Sequence, residues 1–203
     1  MHFLKEAVSA GAPAYLDGLM HEQFHADGAS KPMKYDWAKS SPIGRKWKPA
    51  PAELWLVTKD RHYDFDFRAA FGGFMVSRTL WDALNADSNA WHASGVHAVD
   101  AKGQPVSSKS YVFVQPDLKA SVPDPIQKDS SVFQVGDLGF IDEISQLRFS
   151  ATAADRDVFV CLTEPVLWPI LFVSNKVATA LAMHEWSGVE VSPVEQFSRS
   201  VRF

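Results

Sequence analysis

The chain has 203 residues, 46% of them hydrophobic and 22% charged, enough for one large or two small domains of the soluble globular class. Twenty Lys and Arg against 24 Asp and Glu leave a formal net charge of -4, so no global basic field draws nucleic acid to it. No apolar run approaches the ~20 residues that span a bilayer, and Met1-His2-Phe3-Leu4-Lys5-Glu6 lacks the basic-then-apolar pattern of a signal peptide. The expectation is a cytoplasmic protein that meets neither membrane nor nucleic acid.

Along the chain, Tyr15, Leu16, Leu19, Met20 and Phe24 recur at helical spacing, which predicts a helix over residues 12–27 stopped by Gly28. Residues 29–51 gather Lys31, Lys34, Lys39, Arg45, Lys46 and Lys48 among prolines, Ser40-Ser41 and Gly44, the composition of a basic loop or extended arm. Residues 53–57 read as a strand. Tyr63, Phe65 and Phe67 alternate with Asp64, Asp66 and Arg68 as in a half-buried strand. Residues 96–99 and 111–114 read as strands with a turn at Lys102-Gly103, and residues 115–130, with three prolines, as a connecting loop. Short strands follow at 131–135, 147–149 and 158–162. The only cysteine, Cys161, rules out an internal disulfide, fits a reducing compartment, and between Val160 and Leu162 reads as a buried inert thiol.

The chain also says nearly the same thing twice. Met75-Val76-Ser77 opens a helical stretch ending in Ala83-Leu84, followed by Trp91 and Ser94-Gly95-Val96. Phe172-Val173-Ser174 opens another ending in Ala180-Leu181, followed by Trp186 and Ser187-Gly188-Val189. Ser77 and Ser174 are suited to capping the helices, because a serine hydroxyl accepts an orphan N–H of the first turn. Gly95 and Gly188 are expected to start strands. Strands in runs with few short helices predict an α+β fold. Its strands should be mostly antiparallel, in two related lobes at about 52–115 and 131–203 packed as one globular unit. Residues 1–51 form the N-terminal helix and basic Pro-rich arm ahead of this 52–203 domain.

His21-Glu22-Gln23-Phe24-His25 matches the H-E-x-x-H pattern, in which two histidines one helical turn apart bind zinc and the glutamate activates a metal-bound water. On the predicted helix, however, His21 and His25 fall opposite the apolar stripe, and no third ligand stands out among His62, His92, His97 and His184. A zinc-dependent hydrolase therefore stands as the alternative to a pair of solvent-facing histidines; the main reading has no catalytic residue, metal or cofactor. Asp60, Asp64 and Asp66 form one acidic group, and Asp137, Asp142 and Glu143 another around Gly136 and Gly139. Tyr35, Trp37 and Trp47 interleave with the basic arm, a pattern that either stacks on single-stranded nucleic acid or folds its aromatics onto the core.

Residues 158–162, the run Pro169-Ile170-Leu171-Phe172-Val173-Ser174, Val177, Ala180-Leu181 and Trp186-Ser187-Gly188-Val189-Glu190-Val191 together resemble the C-terminal part of a bacterial polymorphic-toxin immunity family. Gly73 to Leu84, residues 96–99 and Tyr111-Val112-Phe113-Val114 extend the resemblance to roughly residues 52–197. The resemblance implies an antidote that binds a cognate toxin domain and blocks it. The toxin would be secreted or contact-delivered, such as a type VI secretion effector. It implies no catalytic residue. The partner contacts expected are Asp64, Asp66, Asp137, Asp142 and Glu143, with Asp60 and the 29–51 arm beside them.

Overall fold

The computed structural model describes residues 1–9, 11–12, 16–38, 48–59 and 62–201. Within them the chain forms three sheets and three short helices, an α+β fold. The strands are β1 (His2–Glu6), β2 (Gly18–His21), β3 (Glu53–Thr58), β4 (Phe67–Ala70), β5 (Gly73–Ser77), β6 (Trp91–Val99), β7 (Tyr111–Pro116), β8 (Val132–Val135), β9 (Ile141–Gln146), β10 (Val158–Phe159), β11 (Phe172–Val173), β12 (Val189–Pro193) and β13 (Arg199–Ser200). The helices are α1 (Arg78–Leu84), α2 (Ala151–Ala154) and α3 (Asn175–Leu181). The sheets run β2-β3-β6-β7-β5-β4, β10-β11-β1-β12 and β13-β9-β8. Only β3 and β6 pair in parallel; every other paired strand is antiparallel.

Strand alternation sorts the apolar side chains into three cores. In the six-stranded sheet, Phe74, Val76, Val112 and Val114 point to one side and Met75, Tyr111 and Phe113 to the other. In the four-stranded sheet, Leu4 and Val173 point one way, and Phe3 and Phe172 the opposite way. The first core is thus held between the two sheets and filled by Leu80 and Leu84 of α1 and Val177, Ala178 and Leu181 of α3. The second lies between the four-stranded and three-stranded sheets and takes Ile141 and Ile144. The third covers the far face of the six-stranded sheet with Trp37, Ala50, Tyr63, Phe65 and Val106.

Among the described residues the predicted helix over 12–27 is not present. Residues 18–21 are instead the strand β2, an edge strand whose Leu19 and Met20 face Val57 and Leu56 of β3. The apolar positions fit a helical stripe, but Gly18 weakens a helix, and pairing with β3 satisfies the backbone while burying Met20 completely. Tyr15 lies outside the described residues. In the arm, Asp36–Ala38 makes one 3-10 turn that seats Trp37 in the third core, while residues 39–47, Trp47 among them, lie outside the described residues. Tyr35 stacks on Trp37 at 5.3 Å, so both rings are used internally rather than offered to bases. Tyr63 and Phe65 are buried as the alternation predicts, although regular strand begins only at Phe67.

Half of the internal echo is structural. Ser77 Oγ accepts from Leu80 N at 3.1 Å and Ser174 Oγ from Val177 N at 3.2 Å, and each caps a seven-residue helix of the first core. The copies then diverge. Trp91, Ser94 and Gly95 lie inside β6, so Gly95 does not start a strand, whereas Gly188 precedes β12 at φ +73°. The longer turn after α1 lets Trp91 enter the sheet, where it meets Trp81 edge-on at 5.9 Å. Trp186 remains in a loop and donates its indole N–H to Leu181 O at 2.8 Å.

Candidate partner-binding surface

The H-E-x-x-H stretch has lost the helix its chemistry needs. His21 ends β2 and is buried, not solvent-facing, because the segment after it folds back and sets Gly28, His25 and Tyr35 against its ring. Its Nε2 lies 2.8 Å from Gly28 O and its Nδ1 3.3 Å from the Tyr35 hydroxyl, so both ring nitrogens are engaged. Glu22 accepts the Trp37 indole N–H at 3.0 Å, and Lys31 Nζ lies 3.1 Å from His25 Nε2. The two imidazoles are perpendicular, with centroids 5.6 Å apart. Among the described residues no three His, Cys, Asp or Glu side chains gather where they could hold a metal ion.

Asp64 and Asp66 are fasteners. Asp64 Oδ1 accepts from Ser107 Oγ at 2.8 Å and from Ser108 N at 3.0 Å, and Oδ2 pairs with His62 Nε2 at 2.9 Å. Burial alone would raise its carboxyl, but these serine hydrogen bonds outweigh it and hold the group below the ordinary aspartate value. Asp66 is 4% exposed, and its Oδ2 accepts from Lys109 Nζ at 2.8 Å and Ser187 N at 2.6 Å. Beside it the buried Arg68 donates to Phe67 O, Gly188 O and Ala7 O at 2.7, 2.6 and 3.0 Å. Asp66 and Arg68 therefore tie the start of β12 to the edge of the six-stranded sheet. An open cleft of about 460 Å³ next to them is lined by Asp66, Arg78, Lys109, Glu185 and Trp186 and carries both signs of charge. Asp60 lies outside the described residues.

Asp137, Asp142 and Glu143 belong to a different place, the β8–β9 hairpin of the three-stranded sheet. Its loop is closed by Gly136 N to Phe140 O at 2.9 Å and Gly139 N to Gly136 O at 2.9 Å, with Gly139 at φ +78°. That left-handed glycine lets the turn carry Asp137 and Leu138 outward at its tip. Asp137 is exposed and Asp142 and Glu143 are half-buried. The structure thus does not bring the described members of the two acidic groups together: Asp66 is buried and Asp64 half-buried, whereas Asp137 is exposed.

The acidic pattern pointed at this hairpin but missed its apolar half. Val132, Val135 and Leu138 are 54%, 57% and 71% exposed, and Phe140 is half-exposed beside them. Four of the eight exposed large apolar side chains among the described residues fall within these nine positions. Such a concentration makes this hairpin the candidate interaction surface. In the sequence, Leu138 between two glycines of a predicted turn was the available signal. Cys161 is buried as expected, and burial pushes its thiol well up, the environment of a structural rather than a reactive cysteine.

The described residues thus form a three-sheet scaffold whose internal polar groups fasten its own backbone, with an outward-facing acidic and apolar hairpin. The sequence model of Immunity protein 43 (Imm43), an immunity protein family of polymorphic toxin systems, matches residues 4–201, and the chain belongs to that family. No curated protein matches the chain.

Proposed function

We propose that this chain neutralises a cognate bacterial toxin by binding its toxic domain, stoichiometrically and without catalysis, in the cytoplasm of the cell that makes it. The observation that carries the reading is the family match over residues 4–201. The engagement of His21, Glu22, Asp64 and Asp66 in structural hydrogen bonds supports a role without chemistry. No helix among the described residues is long and apolar enough to cross a membrane. The toxin on this reading is secreted or delivered by contact, as type VI effectors are.

An antidote of this kind works by occupying its target. A standard interface buries roughly 1,600 Å² in total, with affinity set by a few buried anchors and association speed by complementary charge. Where a toxin-bearing protein is encoded beside this gene, the test is co-expression with its C-terminal domain. Growth should be restored by the full chain, and the two proteins should co-purify at one to one. Growth arrest with both proteins present at equal levels would sink the proposal.

A further inference from the structure

We propose that the β8–β9 hairpin, residues 132–146, is the surface that seats the toxin, and that its occupant is a protein face with an apolar centre ringed by Lys and Arg. This rests on the toxin-binding reading above. The first support is the way the hairpin is made. In a regular strand Phe133 and Val135 would share a face. The pairing of β8 with β9 shifts register between Val132 and Phe133 and again between Gln134 and Val135. The shifts break the alternation, so Phe133 packs on the second core while Val132 and Val135 both stay exposed. β8 is also the edge strand of its sheet, and Val-Phe-Gln-Val carries none of the charges or prolines that usually keep an edge from sticking. An exposed apolar edge without such protection is expected to have a partner.

The second support is charge. Between residues 128 and 146 one lysine, Lys128, stands against Asp129, Asp137, Asp142 and Glu143, a net of -3 in a chain whose total is -4. Most of the net charge therefore sits on the segment that also carries Val132, Val135 and Leu138. A basic partner gains there twice, through apolar burial at the centre and charge attraction at the rim. A second copy of this chain would bring the same acids face to face and is disfavoured.

The experiment uses the full chain and the toxin domain of the co-expression test above. Hydrogen exchange of the wild-type chain with and without that domain should show protection over 132–146. Val135→Lys with Leu138→Lys should weaken binding about 30-fold or more, as loss of central anchors does. Reversal of Asp137, Asp142 and Glu143 to Lys should slow association about tenfold or more at low salt and remove most of its salt dependence. Met183→Lys, an equally exposed apolar position at the end of α3, should leave affinity unchanged. A wild-type chain that binds and rescues growth while both hairpin variants match it, or while protection falls outside 132–146, overturns this inference and leaves the antidote role standing. A wild-type dimer dissociated by Leu138→Lys overturns it too, by naming a second copy as occupant. A wild-type chain that neither binds nor rescues takes down the function and this surface together.

Discussion

At Gly188 one residue meets three constraints at once. Its φ is +73°, a Cβ there would come within 2.6 Å of Ala12 Cβ, and its carbonyl receives both Arg68 Nη1 and Ala7 N. Gly188→Ala should cost about 2–4 kcal/mol, combining a left-handed alanine with an overpacked contact. Urea unfolding reads this directly, and a midpoint like that of wild type would show that the segment before β12 relaxes freely. Asp64 gives a pH signature. Its carboxyl titrates below the ordinary value in the folded chain, so its stabilisation is present above the unfolded aspartate pKa of about 3.9 and lost as pH falls through the folded value. Asp64→Asn should therefore lower stability at pH 7, with the gap from wild type closing as melts are taken from pH 5 down to pH 2. A gap independent of pH would assign Asp64 no role as a charged acceptor.

At the scale of elements, the serine caps are the best-read part of the chain. Ser77→Ala removes the acceptor for Leu80 N and should cost about 1 kcal/mol by chemical denaturation. Ser174→Ala should cost more, because Ser174 Oγ also donates to Asp157 Oδ1 at 2.7 Å. Equal losses at the two serines would contradict the added bond. These caps, β3 and the strand over residues 111–114 were legible because each depends on neighbours in sequence. β2 was not. Its Leu19 and Met20 fit either period, and what decides between them is β3, more than thirty residues away. Asp66 was misread for a similar reason. Nothing local tells that Ser187 will arrive at its carboxylate.

For the whole molecule, the N-terminal residues are part of the scaffold. β1 is an inner strand, flanked by β11 and β12, and its Phe3 and Leu4 enter two different cores. Starting the chain at Ala7 should abolish cooperative thermal unfolding followed by near-ultraviolet circular dichroism, since it splits a sheet and empties two packed positions. A sharp transition in the shortened chain would instead support an independent domain over residues 52–203. This long-range pairing explains why the N-terminal half of the fold was the harder half to read. The hairpin surface was half-legible: its acids stand out in the sequence, but the exposure of Val135 depends on a register shift that no local pattern announces.

The position of β1 also sets a clock. Residues 2–6 are made long before their partners in β12, Val189–Pro193. At ribosomal speeds of roughly 5–20 residues per second, the first strand waits about 10–40 s for its place in the sheet. A nascent or prematurely ended chain lacks that sheet and the second core built on it. On the toxin-binding reading proposed above, a chain that has not yet reached β12 would not protect, so the producing cell would need a standing stock of antidote before it is exposed to toxin.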